Sequence, residues 1–392
     1  MKITYISNNN WPGTEPGLTF SVFNARGFRQ AGADYLLILF GQTSKPVQEV
    51  YKELFGFDEE LPILPIRAPR IGGSKFLFYL RTFLYLLNNN TEILITRNLN
   101  FLFWAVLLKK LRGVRIYFES HDFWSDLSLR QESISAGHRR QGRLERKWLP
   151  RADGIICQSE PQSLLYRNYY PGMPVLTALP GTKPSVVKDR KGFSYTLGYI
   201  GSFTKDKYPL TVVLKALAAI KDPRIRLICI GAKNETEKER VHREADSLKI
   251  SDRVEIYSWV TGSMLEQLKA RIDVGVAVLS SDMFWNRLST PLKILEYLST
   301  ATPFIATRLD GISSFISHEK QGLLINNTPE QWERAIRTIY SDFSYYQQMA
   351  KECAILGAEL RWEHRAGKII EALESGIFAQ NNTCPDHTGK GL

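Results

Sequence analysis

Residues 282–311, DMFWNRLSTPLKILEYLSTATPFIATRLDG, form the stretch that organises this chain. The stretch predicts a loop, a short helix, a turn and then a buried strand at Pro303–Thr307. Pro291 suits the first turn of a helix, and the side chain of Ser289 or Thr290 is predicted to cap that helix. The helix therefore starts at a defined point, directly before a charged segment.

The charged segment places a cation and a carboxylate beside the helix start. Lys293 and Glu296 are three residues apart and share one helical face. The unpaired N–H groups and the partial positive charge of a helix start bind anions. A nucleotide sugar would suit this site, because the cation and the N–H groups can meet a diphosphate while the carboxylate accepts from ribose hydroxyls. An exposed, capped helix with a Lys–Glu pair explains the same residues, so both interpretations stay open at this point.

The composition indicates a soluble protein with two domains. The chain has 392 residues, with 44% hydrophobic and 23% charged residues. The formal net charge of +11 favours nucleic acid, an anionic membrane or anionic small molecules as partners. The charge is scattered, and no stripe of aromatic residues alternates with basic ones, so no nucleic acid partner is expected.

Cysteine usage and the lengths of the apolar runs favour a cytoplasmic protein. Cys157, Cys229, Cys353 and Cys384 form no CxxC pair and are expected to be reduced thiols, not disulfides or zinc ligands. The start, MKITYISNNN, has too short an apolar run for a signal peptide. The most apolar run, Phe101–Leu108, is also too short to span a bilayer, which takes about 20 residues.

The beginning of the chain predicts a parallel sheet. Buried strands are predicted at Lys2–Ser7 and Tyr35–Phe40, with a helix at Ser21–Ala31 between them, which makes a βαβ unit. The loop containing Gly13 and Gly17 would lie beyond the carboxyl end of the first strand, where such sheets bind ligands. The loop lacks the GxGxxG pattern of dinucleotide-binding proteins, and an ordinary turn is the alternative interpretation.

Two very apolar helices are predicted next, at Lys75–Leu87 and Asn100–Leu111. Helices of this kind most often cover a sheet, and core packing is the expectation here. Their apolar and basic residues could also face a membrane surface, so a peripheral position on the inner face of the membrane is the alternative.

His121 follows the predicted strand Val114–Glu119 and would lie just past its carboxyl end. An imidazole titrates near neutrality and can donate to a sugar hydroxyl or to the charge that develops on a leaving group. A purely structural histidine explains the same position.

The alternation of strands and helices restarts after a linker at Pro180–Pro184. A strand at Thr196–Ile200 and the loop Gly201–Lys207 open this second half. The predicted fold class is therefore α/β, with two doubly wound Rossmann-like domains that face each other across a cleft, the usual place for a ligand.

The order and spacing of several short motifs resemble the GT-B glycosyltransferases of glycosyltransferase family 4, also called glycosyl transferases group 1. The sharpest match is Ser289–Tyr297, which is similar to the SPxKxxEY form of the family's donor motif. The resemblance extends over nearly the whole chain, and its other motifs are Thr96–Asn98, Glu119–Asp122, Arg151–Ser159, Gly198–Phe203 and Arg361–Glu363.

The resemblance implies a GT-B fold with a division of labour between domains. Residues 1–186 would form an N-terminal Rossmann-like acceptor domain, and residues 187–360 a C-terminal Rossmann-like domain for the nucleotide-sugar donor. Residues 361–378 would form a helix that packs back on the N-terminal domain, and residues 379–392 a disordered tail.

The resemblance also implies a UDP- or GDP-sugar as the donor substrate, with no cofactor and no required metal. It matches Glu296 with a ribose ligand, Lys207 with a diphosphate ligand and His121 with a contact to the donor sugar, and these three are the expected catalytic residues. Family 4 enzymes retain the anomeric configuration and let the leaving phosphate assist deprotonation, so no side chain is assigned as a general base. The expected donor-binding residues are Gly13, Gly17, Gly201, Ser202, Lys205, Lys207, Asn286, Arg287, Thr290, Pro291, Leu292, Lys293 and Glu296.

Two positions depart from the family pattern. Leu288 stands where the family has the first of two glutamates, and Ser202 stands where it has an arginine in the donor loop. Charged hydrogen bonds contribute about 1.5–3 kcal/mol each, so these changes could weaken donor binding or mean a different arrangement. The candidates to replace the lost contacts are Asp282 or Asn286 for the glutamate, and Lys205 or Arg287 for the arginine.

These observations favour a retaining, metal-independent glycosyltransferase of the hexosyltransferase type, acting in polysaccharide biosynthesis. It would move a sugar from a nucleotide sugar to a glycan or a lipid-linked acceptor. Two alternatives remain: a catalytically degenerate GT-B binding subunit, suggested by Leu288 and Ser202, and a nucleotide-sugar epimerase, which needs no acceptor.

Overall fold

The computed structural model describes residues 1–70, 73–183, 190–260 and 262–375. The chain divides into two compact units. The first unit contains Met1–Leu129, Ser133–Gly181 and the described residues from Trp362 onward, and the second contains Arg130–Glu132 and Thr182–Arg361. The predicted domain boundary at residues 186/187 and the expected disordered tail, residues 379–392, lie outside the described residues.

The first unit is built on a seven-stranded sheet. In chain order its strands are β1 (Lys2–Trp11), β2 (Asp34–Gly41), β3 (Ile63–Ile66), β4 (Ile93–Thr96), β5 (Arg115–Glu119), β6 (Gly154–Cys157) and β7 (Val175–Thr177). They lie in the order β3-β2-β1-β4-β5-β6-β7, and every neighbouring pair is parallel. The central residues of these strands are mostly apolar and buried, because a parallel sheet is covered by helices on both faces.

Six helices follow these strands in the amino-terminal part of the first unit. They are α1 (Pro16–Gln30), α2 (Val47–Phe55), α3 (Phe76–Asn88), α4 (Leu99–Arg112), α5 (Ala136–Trp148) and α6 (Glu160–Tyr169), with short 3-10 turns at Leu127–Leu129 and Leu149–Arg151.

The second unit is built on a six-stranded sheet. Its strands are β8 (Thr196–Ile200), β9 (Arg226–Ala232), β10 (Val254–Ser258), β11 (Val274–Ala277), β12 (Phe304–Thr307) and β13 (Gly322–Ile325). They lie in the order β10-β9-β8-β11-β12-β13, and every neighbouring pair is parallel. The sequence prediction of two Rossmann-like α/β sheets is therefore confirmed.

The second unit contains eight helices among the residues that the structure describes. They are α7 (Leu210–Ala219), α8 (Glu235–Ser247), α9 (Gly262–Arg271), α10 (Phe284–Leu288), α11 (Leu292–Ser299), α12 (Asp310–Ser313), α13 (Pro329–Ser341) and α14 (Phe343–Glu359), with a 3-10 turn at Ser251–Arg253.

The last described helix, α15 (Trp362–Glu374), belongs to the first unit. It packs closely on α1, where a Cβ atom at Gly27 would lie 2.5 Å from the carbonyl oxygen of Trp362. The buried guanidinium of Arg365 forms an ion pair with the buried carboxylate of Glu119, at the end of β5, and donates to Asn24. The end of the described chain therefore completes the core of the unit in which the chain begins.

The connection after β1 is shorter than the sequence predicts. β1 continues to Trp11 through an irregularity in its pairing between Ser7 and Asn10. Helix α1 begins at Pro16, because proline is well accommodated in a first helical turn. Gly17 therefore lies in that first turn, so the predictions that the strand ends at Ser7 and that Gly17 lies in a loop are wrong.

Two further expectations concern membrane-spanning helices and the state of the cysteines. None of these helices has the length and apolar character needed to cross a membrane. Cys157, Cys229 and Cys353 are buried free thiols, and Cys384 lies outside the described residues.

Candidate functional site

Two connections meet at one edge of the sheet in the second unit. β8 leads into the loop 201–208, and β11 leads through α10 into α11. Because β8 and β11 are parallel neighbours, both connections start from the same edge. Asn286 of α10 ties them together, since its side-chain Nδ2 donates to the carbonyl of Lys207 at 3.0 Å and to that of Ser280 at 2.9 Å.

Two glycines allow the loop to approach its neighbours. Gly201 and Gly231 have φ angles of +134° and +121°, which residues with a side chain rarely adopt. A Cβ atom at Gly231 would lie 2.6 Å from the carbonyl oxygen of Gly201, and one at Gly201 would lie 3.4 Å from Nζ of Lys293. The glycine at position 201 therefore leaves room for the head group of Lys293.

Lys293 points its ammonium group at two aromatic rings. Nζ lies 4.0 Å from the ring centroid of Tyr199 and 4.5 Å from that of Tyr208. Nζ is buried and has no hydrogen-bond partner within the described part of the chain. Burial lowers the pKa of Lys293, and the charge of nearby Lys207 lowers it further, to about 7. A buried ammonium without an acceptor is unfavourable, so an anion beside it would be stabilising.

Glu296 lies one turn further along α11 and is held by two other lysines. Lys269 of α9 places Nζ 2.8 Å from Oε2, and Lys183 places Nζ 3.2 Å from Oε1. Burial raises the pKa of Glu296, but the two lysines outweigh this effect and lower it to about 2. The carboxylate is therefore ionised at neutral pH, and the Lys293–Glu296 pair of the alternative interpretation is not formed.

The start of α11 differs from the predicted cap. Pro291 occupies the N-cap position in an extended conformation and makes no side-chain cap. Ser289 ends α10 and is extended, so the prediction that Ser289 or Thr290 is the N-cap residue of α11 is wrong. Thr290 and Pro291 are buried in the connection, and Leu292 is the exposed first residue of the helix.

The remaining predicted residues of the second unit lie on the loop after β8, on α10 and at the end of α10. The hydroxyl of Ser202 lies 2.8 Å from that of Thr204, and Lys205 is exposed on the same loop. Arg287 of α10 lies over the ring of Phe284, 5.6 Å from its centroid. Leu288, at the end of α10, lies beside Gly311, where a Cβ atom would come within 2.9 Å of the Leu288 carbonyl carbon.

The predicted residues Gly13, Gly17 and His121 belong to the first unit. Gln158 Nε2 lies 3.2 Å from Nδ1 of His121, and the His121 ring lies 5.8 Å from that of Phe20. The carbonyl of Gly17 accepts from Nη1 of Arg97 at 3.4 Å. His121 and Arg97 line one cavity of about 160 Å³ at the carboxyl end of the first sheet.

The structure adds four residues that the sequence interpretation missed. Lys183 and Lys269 hold Glu296, and Tyr199 and Tyr208 face Lys293. A tyrosine in an otherwise apolar strand, directly before a glycine loop, was the available signal for Tyr199. Nothing in the sequence marks Lys183, which lies in the predicted linker, or Lys269, which is buried in α9.

Two family models match this chain. "Glycosyltransferase Family 4" matches residues 24–174, and "Glycosyl transferases group 1" matches residues 194–342. The two matches together cover more than half of the chain. The chain therefore belongs to the glycosyltransferases that carry these two domains, as the motifs in the sequence predict.

Curated relatives share part of this chain. D-inositol 3-phosphate glycosyltransferase from Corynebacterium urealyticum is 25% identical over 217 residues, which are 52% of this chain and 50% of the relative. The protein of the same name from Pseudarthrobacter chlorophenolicus is 24% identical over 214 residues, 53% of this chain and 49% of the relative. The chain thus spans about half the length of the curated relatives it matches.

Solved structures match almost the whole chain. Anabaena HepE in complex with UDP and glucose has a TM-score of 0.72 at 16% identity, over 96% of this chain and 100% of that one. Sucrose-phosphate synthase from Thermosynechococcus elongatus has a TM-score of 0.72 at 16% identity, over 97% of this chain and 99% of that one. At these identities the likeness shows the fold, which is GT-B.

Proposed function

We propose that this chain is a retaining glycosyltransferase that moves a sugar from a nucleotide-sugar donor to a glycan or a lipid-linked acceptor. The observation that carries the proposal is the arrangement of opposite charges on α11. The buried ammonium of Lys293, which has no hydrogen-bond partner among the described residues, stands one turn before an ionised carboxylate, Glu296. The first suits a diphosphate, and the second suits a ribose.

The diphosphate would lie at the start of α11. Lys293 and Lys207 supply two positive charges there, and the start of the helix supplies backbone N–H groups. Positive groups placed before the reaction stabilise the charge that develops on a departing diphosphate. The proposal needs no metal for this purpose. The described residues contain no cluster of three or more His, Cys, Asp or Glu side chains that could hold one.

The ribose would bind to Glu296. A carboxylate has about four lone-pair positions, so its oxygens can accept from ribose hydroxyls as well as from Lys183 and Lys269. The two lysines orient the carboxylate and hold it in the charged form. In the same proposal, His121 contacts the donor sugar. The amide of Gln158 would donate to its Nδ1, which leaves the proton of a neutral ring on Nε2.

A UDP-sugar is the first donor to test, and a GDP-sugar is the second. Anabaena HepE, which shares the fold, has been solved with UDP and with UDP-glucose. The names of the curated relatives describe a phosphorylated acceptor for those enzymes. We also propose that the protein acts in polysaccharide biosynthesis and is located in the cytoplasm.

Transfer by the purified chain tests the proposal. Lys207→Ala and Glu296→Ala should each lower donor-dependent product formation about tenfold to a hundredfold, because a charged hydrogen bond contributes about 1.5–3 kcal/mol. Lys215→Ala removes an exposed lysine from α7 and serves as the control. Full activity in both site variants would reject the assignment of these residues.

A second candidate function is a binding subunit that has lost catalysis. The half-buried side chain of Leu288 stands where the family resemblance expects a carboxylate, which favours this candidate. Calorimetry that finds no binding of UDP- or GDP-sugars would support it. Release of an epimer or of free sugar without any acceptor would instead support an epimerase.

A further inference from the structure

Two adjoining cavities in the first unit are candidates for the binding site of the acceptor. The smaller, of about 160 Å³, lies at the carboxyl ends of β4 and β5 and is lined by His121 and Arg97. The larger, of about 340 Å³, extends along α3, α4 and α5. Asn8 and Asn100 line both cavities, so the two are direct neighbours, and together they are called the depression.

We infer that this depression binds an acceptor in which a saccharide is joined through phosphate to an apolar chain. The saccharide would occupy the smaller cavity, and the phosphate and the first part of the chain would occupy the larger one. The inference rests on the proposed transferase function and specifies its acceptor.

Two residues that line the smaller cavity have buried polar atoms without a hydrogen bond to the described residues. Oδ1 of Asn100 and Nη2 of Arg97 are buried, and neither has a hydrogen-bond partner within residues 1–70, 73–183, 190–260 and 262–375. Buried polar atoms are nearly always paired, and unpaired ones need an explanation. Saccharide hydroxyls both donate and accept, so they could pair with the amide oxygen and with the guanidinium. The smaller cavity therefore suits a sugar.

The larger cavity is positively charged. Lys75 and Arg140 line it, and no Asp or Glu is among the described residues that do so. Nζ of Lys75 contacts the carbonyl of Asn8, another residue of the cavity lining, and lies 3.2 Å from Oδ1 of Asn10. Helix α3 also begins here, and its first residues carry the partial positive charge of a helix start. An anionic group such as phosphate fits between these charges.

Aromatic side chains also line the larger cavity, among them Phe76 and Trp104, and Phe103 packs on the same Trp104 outside its lining. Phe76 lies 5.6 Å from Trp104, and Phe103 lies 5.1 Å from the same indole, measured between ring centroids. Phe76 and Phe103 remain 49% and 43% exposed. Exposed aromatic side chains that continue a cavity favour an apolar ligand over a free saccharide. The depression therefore combines polar groups in the smaller cavity with cationic and aromatic groups in the larger one, which are the groups that the inferred acceptor requires.

Binding of a simple prenyl diphosphate tests the inference. The full chain is first saturated with UDP, so that the donor site cannot take up the probe, and farnesyl diphosphate is then titrated by calorimetry. Inorganic diphosphate and octyl glucoside serve as comparisons that lack the apolar chain and the phosphate, respectively. Farnesyl diphosphate is expected to bind at least tenfold more tightly than either.

Variants locate the binding. Arg140→Ala should weaken farnesyl diphosphate at least tenfold, and Phe76→Ala should weaken it without changing the affinity for inorganic diphosphate. Arg143→Ala is the matched control, because Arg143 is exposed on the same helix and does not line the cavity. The inference would be overturned if the wild type and Arg140→Ala bound farnesyl diphosphate with equal affinity. It would also be overturned if octyl glucoside bound as tightly as farnesyl diphosphate.

The outcomes separate the inference from the proposed function. UDP binding that persists while farnesyl diphosphate fails to bind leaves the donor site intact and rejects the acceptor. Absence of UDP binding counts against the proposed function instead. In that case the Arg140→Ala and Phe76→Ala comparison without UDP still decides whether the depression binds the probe.

Discussion

The charge of Lys293 is expected to depend on whether a diphosphate is bound beside it. In the free chain its pKa is about 7, so a substantial fraction of molecules hold it uncharged at neutral pH. A bound diphosphate would favour the charged form and raise this pKa. Three neighbouring groups do not titrate near neutrality, because the pKa of Glu296 is about 2 and burial raises the pKa values of Tyr199 and Tyr208.

Donor affinity should therefore depend on pH. Below about pH 7 the lysine is charged in both the free and the bound chain, and the affinity is at its maximum. Above pH 7 the free chain loses the proton that the bound chain keeps, so the affinity falls by up to about tenfold per pH unit. Calorimetry with UDP-glucose from pH 6.0 to 8.5, in two buffers of different ionisation enthalpy, measures both the fall and the proton uptake.

Two substitutions check the origin of this dependence. Lys293→Arg keeps a permanent charge and Lys293→Met removes it, so both should flatten the profile, and only the second should also lower the affinity at pH 6. An unchanged slope in Lys293→Met would assign the dependence to another group.

Lys269 acts on the site through Glu296 and is a positioning residue. Lys269→Met would remove the partner of Oε2, so the pKa of Glu296 should rise and the carboxylate should lose its orientation. We expect the KM for the donor to rise about tenfold and the acid limb of the pH–rate profile to move to higher pH. Lys269→Arg should largely restore both the KM for the donor and the position of the acid limb. A KM that does not change in Lys269→Met would show that Glu296 needs no such support.

Among the elements, the long apolar strands were the most predictable. Runs such as Tyr35–Phe40 and Val274–Val278 coincide with β2 and β11, because strands covered on both faces contain few polar residues. The short helices α2, α10 and α12 were not predicted. Each has nine residues or fewer, so its pattern is too short to reveal a helical period.

The contact between α1 and α15 offers a test at the scale of elements. Gly27→Ala would place a methyl group 2.5 Å from the carbonyl oxygen of Trp362, so the helices must move apart, at a cost of about 1–3 kcal/mol. Thermal unfolding should show a lower Tm. Gly367→Ala on α15 is the control, since its Cβ would meet nothing within 4 Å and alanine favours a helix. Equal Tm values in the two variants would contradict the packing described.

At the scale of the whole molecule, the chain leaves the first unit after Gly181 and returns to it at Trp362. Sequence patterns indicated both sheets, and the donor-binding residues stay a prediction. The patterns could not indicate that Lys183 and Lys269 converge on Glu296, or that Arg365 reaches Glu119. Such contacts depend on how distant segments pack, and local periodicity carries no information about them.

The ion pair between Glu119 and Arg365 provides the corresponding test. Arg365→Met would leave a buried carboxylate without its cation, which costs about 3–5 kcal/mol. Hydrogen exchange should show the loss of protection in the first unit, while calorimetry should show UDP binding to the second unit largely retained. Lys368→Met is the control, because Lys368 is exposed on the same helix. Uniform loss of protection in both units would mean that they do not unfold separately.

The divided first unit also has a consequence for protein synthesis. The ribosome completes every residue of the second unit before it reaches α15, which supplies Arg365 and core side chains to the first unit. The unit that is synthesised first is therefore the last to be finished. Until then its nascent sheet has an uncovered apolar surface, which is where we expect chaperones to bind during translation.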